Sequence, residues 1–124
     1  MNMNKKYLII AGISGFLAVA LGAFGSHGLE NKLTPEMLSI YKTGVLYHLI
    51  HSVLLAALAL TGADKFKNTF YFIAAGIVLF SFSLYIYSIT EVRWLAFITP
   101  FGGVAFLTGW VMLIVEGIKR KNSL

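Results

Sequence analysis

Four uncharged stretches, each long enough to cross a bilayer as a helix, divide the chain, and nearly all charged residues fall between them. The first runs from Tyr7 to Ser26 behind a short polar leader, Met1 to Lys6. Within it Ala11, Gly15, Ala18, Gly22 and Gly25 recur at alternating steps of four and three, so these small residues share one helical face and let another helix come close. A cleaved signal peptide is the alternative reading, because Ala23 and Gly25 imitate a cleavage site behind a basic start; against it, the run exceeds a usual signal core and more spans follow.

Gly28 to Lys42 is the longest polar stretch, with Glu30, Lys32, Glu36 and Lys42. Thr34, Pro35 and Glu36 predict a helix start, with Thr34 as N-cap, Pro35 at the first helical position and Glu36 near the positive end of the dipole. Span two enters the membrane near Tyr41 and continues to Leu60, which puts His51 near the bilayer centre. A short turn from Thr61 to Thr69 makes spans two and three antiparallel neighbours. Span three, Phe70 to Ile89, carries Gly76, Ser81, Ser83, Tyr85, Tyr87 and Ser88, whose hydroxyls can bond to their own helix or across to another. Glu91 and Arg93 mark the next turn. The apolar run from Trp94 to Ile118 is broken by Thr99, Pro100, Gly102 and Gly103, so the fourth helix either kinks at Pro100 or begins there with Thr99 as cap.

The pattern predicts an all-α integral membrane protein, one domain over 1–124, with spans at 7–26, 41–60, 70–89 and 98–118 and short loops. Composition agrees: 58% of residues are hydrophobic and 12% charged, against about 25% charged in soluble domains. A chain of 124 residues filled by such spans has no room for a separate catalytic domain. With no Cys there is no disulfide, thiolate metal site, iron–sulfur cluster or cysteine nucleophile. No phosphate loop, catalytic triad, dinucleotide fingerprint or paired-carboxylate site occurs in the sequence.

Ionisable groups inside spans are the candidates for chemistry, because burying them is costly without a partner. His48 and His51, three residues apart, are expected to project from one face of span two, and His27 sits at the end of span one. Three histidines with Glu30 or Glu36 nearby could supply a metal, but the spacing matches no metal signature and His51 lies turns deeper than His27. The alternative is neutral His48 and His51 bonded to Ser or Tyr on neighbouring spans, with Ser81, Ser83 and Tyr85 the candidates for His51. Glu116 falls at helical steps from Gly102, Ala105 and Gly109, yet one turn from Lys119 and Arg120; an ion pair with either competes with a proton-carrying role. The Thr99–Gly103 break could also be a ligand-binding interruption of a helix, as in transporters.

The segments GAFGSHGL (Gly22 to Leu29), YHLIH (Tyr47 to His51), LFSFSLY (Leu79 to Tyr85) and ITPFGG followed by GW (Ile98 to Gly103, Gly109 to Trp110) resemble one family. It is the small bacterial membrane proteins called domain of unknown function 423, or uncharacterised protein family 0382, with transmembrane protein 256 as animal relative. The resemblance covers nearly everything from Tyr7 to Ile118 and implies a multi-pass cell-membrane protein of unestablished function. It picks out Gly22, Ala23, Phe24, Gly25 and His27, then Tyr47 and His51, then Phe80, Ser81, Ser83, Leu84 and Tyr85, then Thr99, Pro100, Gly102 and Gly103. Ser26 stands where the family usually has Ala, and Phe82 where it has Gly, which argues against a close backbone approach at that point of span three. His48 falls where relatives often have Gln, which argues against an obligatory three-histidine metal site.

The expected role is that of a non-enzymatic structural, accessory or interaction protein, with no cofactor and no bound metal. A small permease or ion-handling protein using His27, His51 and Glu116 is the alternative, and a membrane metal enzyme stands third. Expected partners are the lipid bilayer and either further copies of the chain or a larger membrane complex. The net charge of +5 needs no nucleic-acid partner, because it follows from the distribution of basic residues about the membrane.

For four spans, Lys5, Lys6, Lys65, Lys67, Lys119, Arg120 and Lys121 lie on one side, and Lys32, Lys42 and Arg93 on the other. The basic excess marks the cytoplasm, so both termini are expected inside the bacterial cell. A reporter fused after Lys121 should be active only in the cytoplasm, and one inserted between Leu29 and Pro35 only outside. A C-terminal fusion active only outside the cell would overturn the topology.

Overall fold

A computed structural model describes residues 2–62 and 64–120, so Met1 of the leader and Lys121 of the basic tail lie outside the described residues. Four long helices account for nearly all of it: α1 (Lys5–Leu29), α2 (Pro35–Gly62), α3 (Lys67–Thr90) and α4 (Thr99–Lys119), the last entered through a 3-10 turn at Arg93–Phe97. No strand occurs among the described residues. All four segments are long and apolar enough to cross a membrane, and each contains one of the expected spans.

The helix boundaries follow from local chemistry. Thr34 caps α2 as its sequence predicts, its hydroxyl accepting the Met37 N–H at 3.1 Å, and the helix starts at Pro35 as expected. Gly62 ends α2 at a φ of 144°, a conformation that a Cβ would oppose. Glu91 closes α3 in the left-handed region, its N–H returning to the Tyr87 carbonyl at 2.7 Å. Of the two alternatives at Pro100, α4 begins there. Thr99 does not cap it, however: the Ile98 carbonyl accepts the Phe101 and Gly102 N–H groups at 3.0 and 3.4 Å, one position earlier, and the Thr99 hydroxyl turns to α3.

Two helices widen by a π turn, α1 at Leu21–Gly25 and α3 at Ile77–Phe82. A π turn lets carbonyls leave the regular ladder and become acceptors for other groups. The Leu21 carbonyl takes the Tyr41 hydroxyl of α2 at 2.6 Å, and the Phe80 carbonyl takes the Ser83 hydroxyl at 2.9 Å.

Helices α2 and α3 form the middle of the bundle; α1 packs along α2, and α4 packs along α3. Small residues permit each approach. On α1, Ala11 and Ala18 are buried, and an added Cβ on Gly22 would lie 2.8 Å from Val45 Cγ1, while one on Gly25 would overlap Tyr41. Gly15 departs from the expected face, for nothing lies within 4 Å of its Cβ position. The helices diverge there enough to admit a serine pair, Ser14 Oγ to Ser52 Oγ at 2.6 Å. On α4, a Cβ at Gly102 would lie 2.7 Å from Leu79 C and Phe80 Cα, so α4 touches the backbone of α3 at its π turn.

The interior is divided along its length. Toward the end where α1 begins and α4 finishes it is a cluster of Tyr7, Ala11, Leu55, Leu58, Ala59, Phe70, Ile73, Ile77 and Phe106. Toward the loop end it holds Tyr41, His48, Ser81, Ser83, Tyr85 and Ser88, with Ser52 and His51 between the halves. Thr69, buried beside the Lys67 start of α3, is the polar residue at the apolar end.

The α1–α2 contact generates a paired prediction. Gly22→Leu must displace Val45, whereas Val19 is 58% exposed and Val19→Leu has room to turn outward. Overpacking of this kind costs about 1 to 3 kcal/mol, so Gly22→Leu should melt clearly below Val19→Leu in detergent. Equal melting of the two variants would remove Gly22 from the contact face.

Candidate functional site

The buried polar groups meet where α2, α3 and α4 come together. His48 and His51 are separated by three residues on α2, a rotation of about 60° once the turn is completed. That angle sends them to different neighbours, which corrects the expectation of a shared face. His48 Nδ1 meets the Tyr85 hydroxyl of α3 at 2.8 Å, and His51 Nε2 meets the Trp110 indole of α4 at 3.1 Å. The hydroxyl partners expected for His51 on α3 are therefore not its partners; Tyr85 belongs to His48.

Hydrogen-bond chemistry fixes the state of His51. Its Nδ1 lies 2.7 Å from the Tyr47 carbonyl, which can only accept, so Nδ1 donates. The Trp110 N–H can only donate, so Nε2 accepts. The imidazole is thus neutral with its proton on Nδ1, and neither nitrogen has capacity left for a metal. Phe106 stacks on the ring at 3.7 Å between centroids and 13° between planes, and Tyr47 lies beside the pair, 6.1 Å from the imidazole and 6.2 Å from Phe106, its plane within 19° of both.

His48 is fully enclosed, and its Nε2 has no partner. Phe82, at the position where the family resemblance leads one to expect Gly, lies edge-on to this ring at 5.3 Å and 84°. The close backbone approach to α3 occurs nearby instead, where Gly102 meets Leu79 and Phe80. Ser81, also enclosed, leaves its hydroxyl unpaired, while Ser83 joins Thr99 at 2.6 Å. The Ser83 hydroxyl also meets the Phe80 carbonyl at 2.9 Å and the Thr99 hydroxyl the Leu95 carbonyl at 3.5 Å, and this chain of hydroxyls pins the first turn of α4 to the π turn of α3.

The remaining candidates stand apart. His27 is exposed at the loop end and pairs with Glu30 at 3.3 Å, far along α1 from the serine pair that adjoins the other histidines. Among the described residues no three His, Asp or Glu side chains come together as a metal-binding group. Glu116 pairs with Arg120 at 3.6 Å across one helical turn, the arginine of the two cations expected, and the guanidinium covers the Phe66 ring at 5.0 Å.

Sequence reasoning missed the partners Trp110, Tyr41 and Ser14. Trp110 carries a signal that could have found it: a tryptophan in the middle of a span, away from the interfacial belts, needs an acceptor for its indole.

Known proteins match the chain over most of its length. The family model described as "Protein of unknown function (DUF423)" matches residues 21–103. The UPF0382 membrane protein YwdK of Bacillus subtilis (strain 168) is 44% identical over 120 residues, which cover 93% of this chain and 98% of the relative. The UPF0382 inner membrane protein YgdD of Escherichia coli (strain K12) is 42% identical over 124 residues, covering 97% and 95%. The Staphylococcus saprophyticus membrane protein SSP2132 is 38% identical over 118 residues, covering 93% and 98%. No solved structure matches.

The His51 geometry sets the order of its substitutions. Gln has a carbonyl oxygen to accept the Trp110 N–H, while Leu leaves that donor without an acceptor at a cost of about 1 to 2 kcal/mol. Thermal melting in detergent should therefore place His51→Gln between wild type and His51→Leu. If Leu is as stable as Gln, the Trp110 bond does not support the fold.

Proposed function

The chain belongs to the DUF423 family of membrane proteins, and on that premise we propose a non-enzymatic accessory or interaction protein of the bacterial cytoplasmic membrane, with both termini inside. The observation that carries this reading is the disposal of the polar groups. His51 uses both nitrogens inside the fold, Thr99 and Ser83 bond each other, and Ser14 bonds Ser52. What the bundle turns outward is apolar: Phe16 and Val19 on α1, and Phe101, Val104, Leu107 and Ile114 on α4 are all more than half exposed. Surfaces of that kind meet lipid or another membrane helix, through which a protein of this size can act on a larger assembly or on copies of itself.

The ion-handling alternative draws on one specific feature, the unpaired His48 Nε2 and Ser81 hydroxyl in the loop-side half of the interior. Against it stands the cluster from Tyr7 to Phe106, which fills the other half with apolar side chains and offers a proton no relay. Reconstitution separates the two readings. In liposomes with a potassium-driven membrane potential and an internal pH dye, the protein should pass protons no faster than empty vesicles. A proton flux that His48→Gln abolishes would overturn the accessory reading.

A further inference from the structure

On the lipid-facing side of His51, α2 and α4 part to leave an open cavity of about 410 Å³. Rings wall it, from Tyr47, Phe80, Phe106 and Trp110, with Pro100 and Gly103 at its α4 edge. Its size is that of small-molecule sites. Three observations bear on what it takes.

Gly103 is bare without a packing reason. An added Cβ would meet only Phe80 Cδ2 at 3.9 Å, an ordinary contact, in contrast to its neighbour Gly102, which lies against the α3 backbone. Glycine weakens a helix relative to alanine, and at this position the gain is an unfilled cavity.

Tyr47 is misplaced for a packing tyrosine. It is 40% exposed, yet it stands within the span, about 9 Å along the helix, at 1.5 Å per residue, from the expected membrane entry near Tyr41. Tyrosines on lipid-facing surfaces gather at the interfaces, where water takes up the hydroxyl. Among the described residues the Tyr47 hydroxyl has no hydrogen-bond partner, and hydrocarbon offers none.

Three of the rings at the cavity are near-parallel, while Phe80 is tilted 48° from Tyr47 and Trp110 stands 71° from His51. The rings of Tyr47, His51 and Phe106 lie within 19° of parallel, and Phe80 closes on Tyr47 at 4.7 Å. Ring faces favour an offset ring as neighbour.

We propose that this cavity binds a membrane-dissolved planar ring that bears a carbonyl oxygen, the chemistry of a quinone headgroup. The ring lies against the aromatic walls, its carbonyl accepts the Tyr47 O–H, and any tail remains in the lipid. An acyl chain could fill the space but would bring neither a flat face nor an acceptor for Tyr47. The proposal concerns binding alone and goes beyond the accessory reading.

The sequence has two tryptophans, so Trp94→Phe leaves Trp110, at the cavity wall, as sole fluorophore. In nanodiscs of phosphatidylcholine, a short-tailed benzoquinone should quench it saturably. Gly103→Leu should weaken the apparent affinity about tenfold or more, Gly103→Ala less, and Tyr47→Phe, which keeps the ring and loses the donor, about fivefold. Helical circular dichroism and melting of the Ala and Phe variants should match the parent, so they carry the test if the Leu variant misfolds. Quenching that rises linearly and equally in all variants would overturn the proposal. So would quenching by lipids brominated on their acyl chains that Gly103→Leu relieves and quinone does not displace, for then the cavity holds a lipid chain.

Discussion

A polar atom facing hydrocarbon has no water to fall back on, so each side-chain donor in a membrane bundle must find its acceptor on another helix or on its own backbone. In this chain the requirement is met pairwise for five pairs, each of which fixes a helix contact, while the Ser81 hydroxyl and His48 Nε2 are left without a partner. Ser14 with Ser52 and Tyr41 with the Leu21 carbonyl join α1 to α2; His48 with Tyr85 joins α2 to α3; Ser83 with Thr99 joins α3 to α4; His51 with Trp110 joins α2 to α4. Apolar contacts alone would permit sliding among these helices, since lipid solvates an aliphatic surface as well as another helix does. The hydrogen bonds give each contact its register.

The π turns serve that same requirement from the backbone side. A regular α-helix spends its carbonyls internally and has few to offer a neighbour. By widening at Leu21–Gly25 and Ile77–Phe82, α1 and α3 free acceptors at the depth where Tyr41 and Ser83 bring hydroxyls. Two of the sequence segments that carry the family resemblance fall on these turns, where their residues shape the local backbone. Gly102 fits the same account, because only a bare backbone can approach α3 where it widens.

The four helices were legible because hydropathy and length register directly in sequence, and the start of α2 was legible because Thr34 and Pro35 have few other uses. The small face of α1 was readable in its periodicity, but Gly15 shows the limit: helical spacing gives direction, and whether the neighbouring helix remains close at that level depends on a crossing that the spacing does not encode. The histidine partners were harder still. A period of 3.6 places His48 and His51 on roughly one side of α2, yet their divergence decides which of two helices each reaches, and that depends on where α3 and α4 stand. Thr99 read as a cap because a threonine before proline so often is one; the competing attraction of Ser83 comes from sixteen residues away and is invisible locally.

The connectivity of these pairs also bears on how the protein is made. Helices enter the membrane in the order of synthesis, and α1 and α2 already contain both halves of the Ser14–Ser52 and Tyr41–Leu21 bonds. The first hairpin can therefore satisfy itself while the second is still on the ribosome. His48 cannot, for Tyr85 lies 37 residues further along, and Trp110 follows His51 by 59. Until α3 and α4 are in place, His48 Nδ1 lacks the Tyr85 hydroxyl and His51 Nε2 lacks the Trp110 N–H, while His51 Nδ1 already has the Tyr47 carbonyl of its own helix.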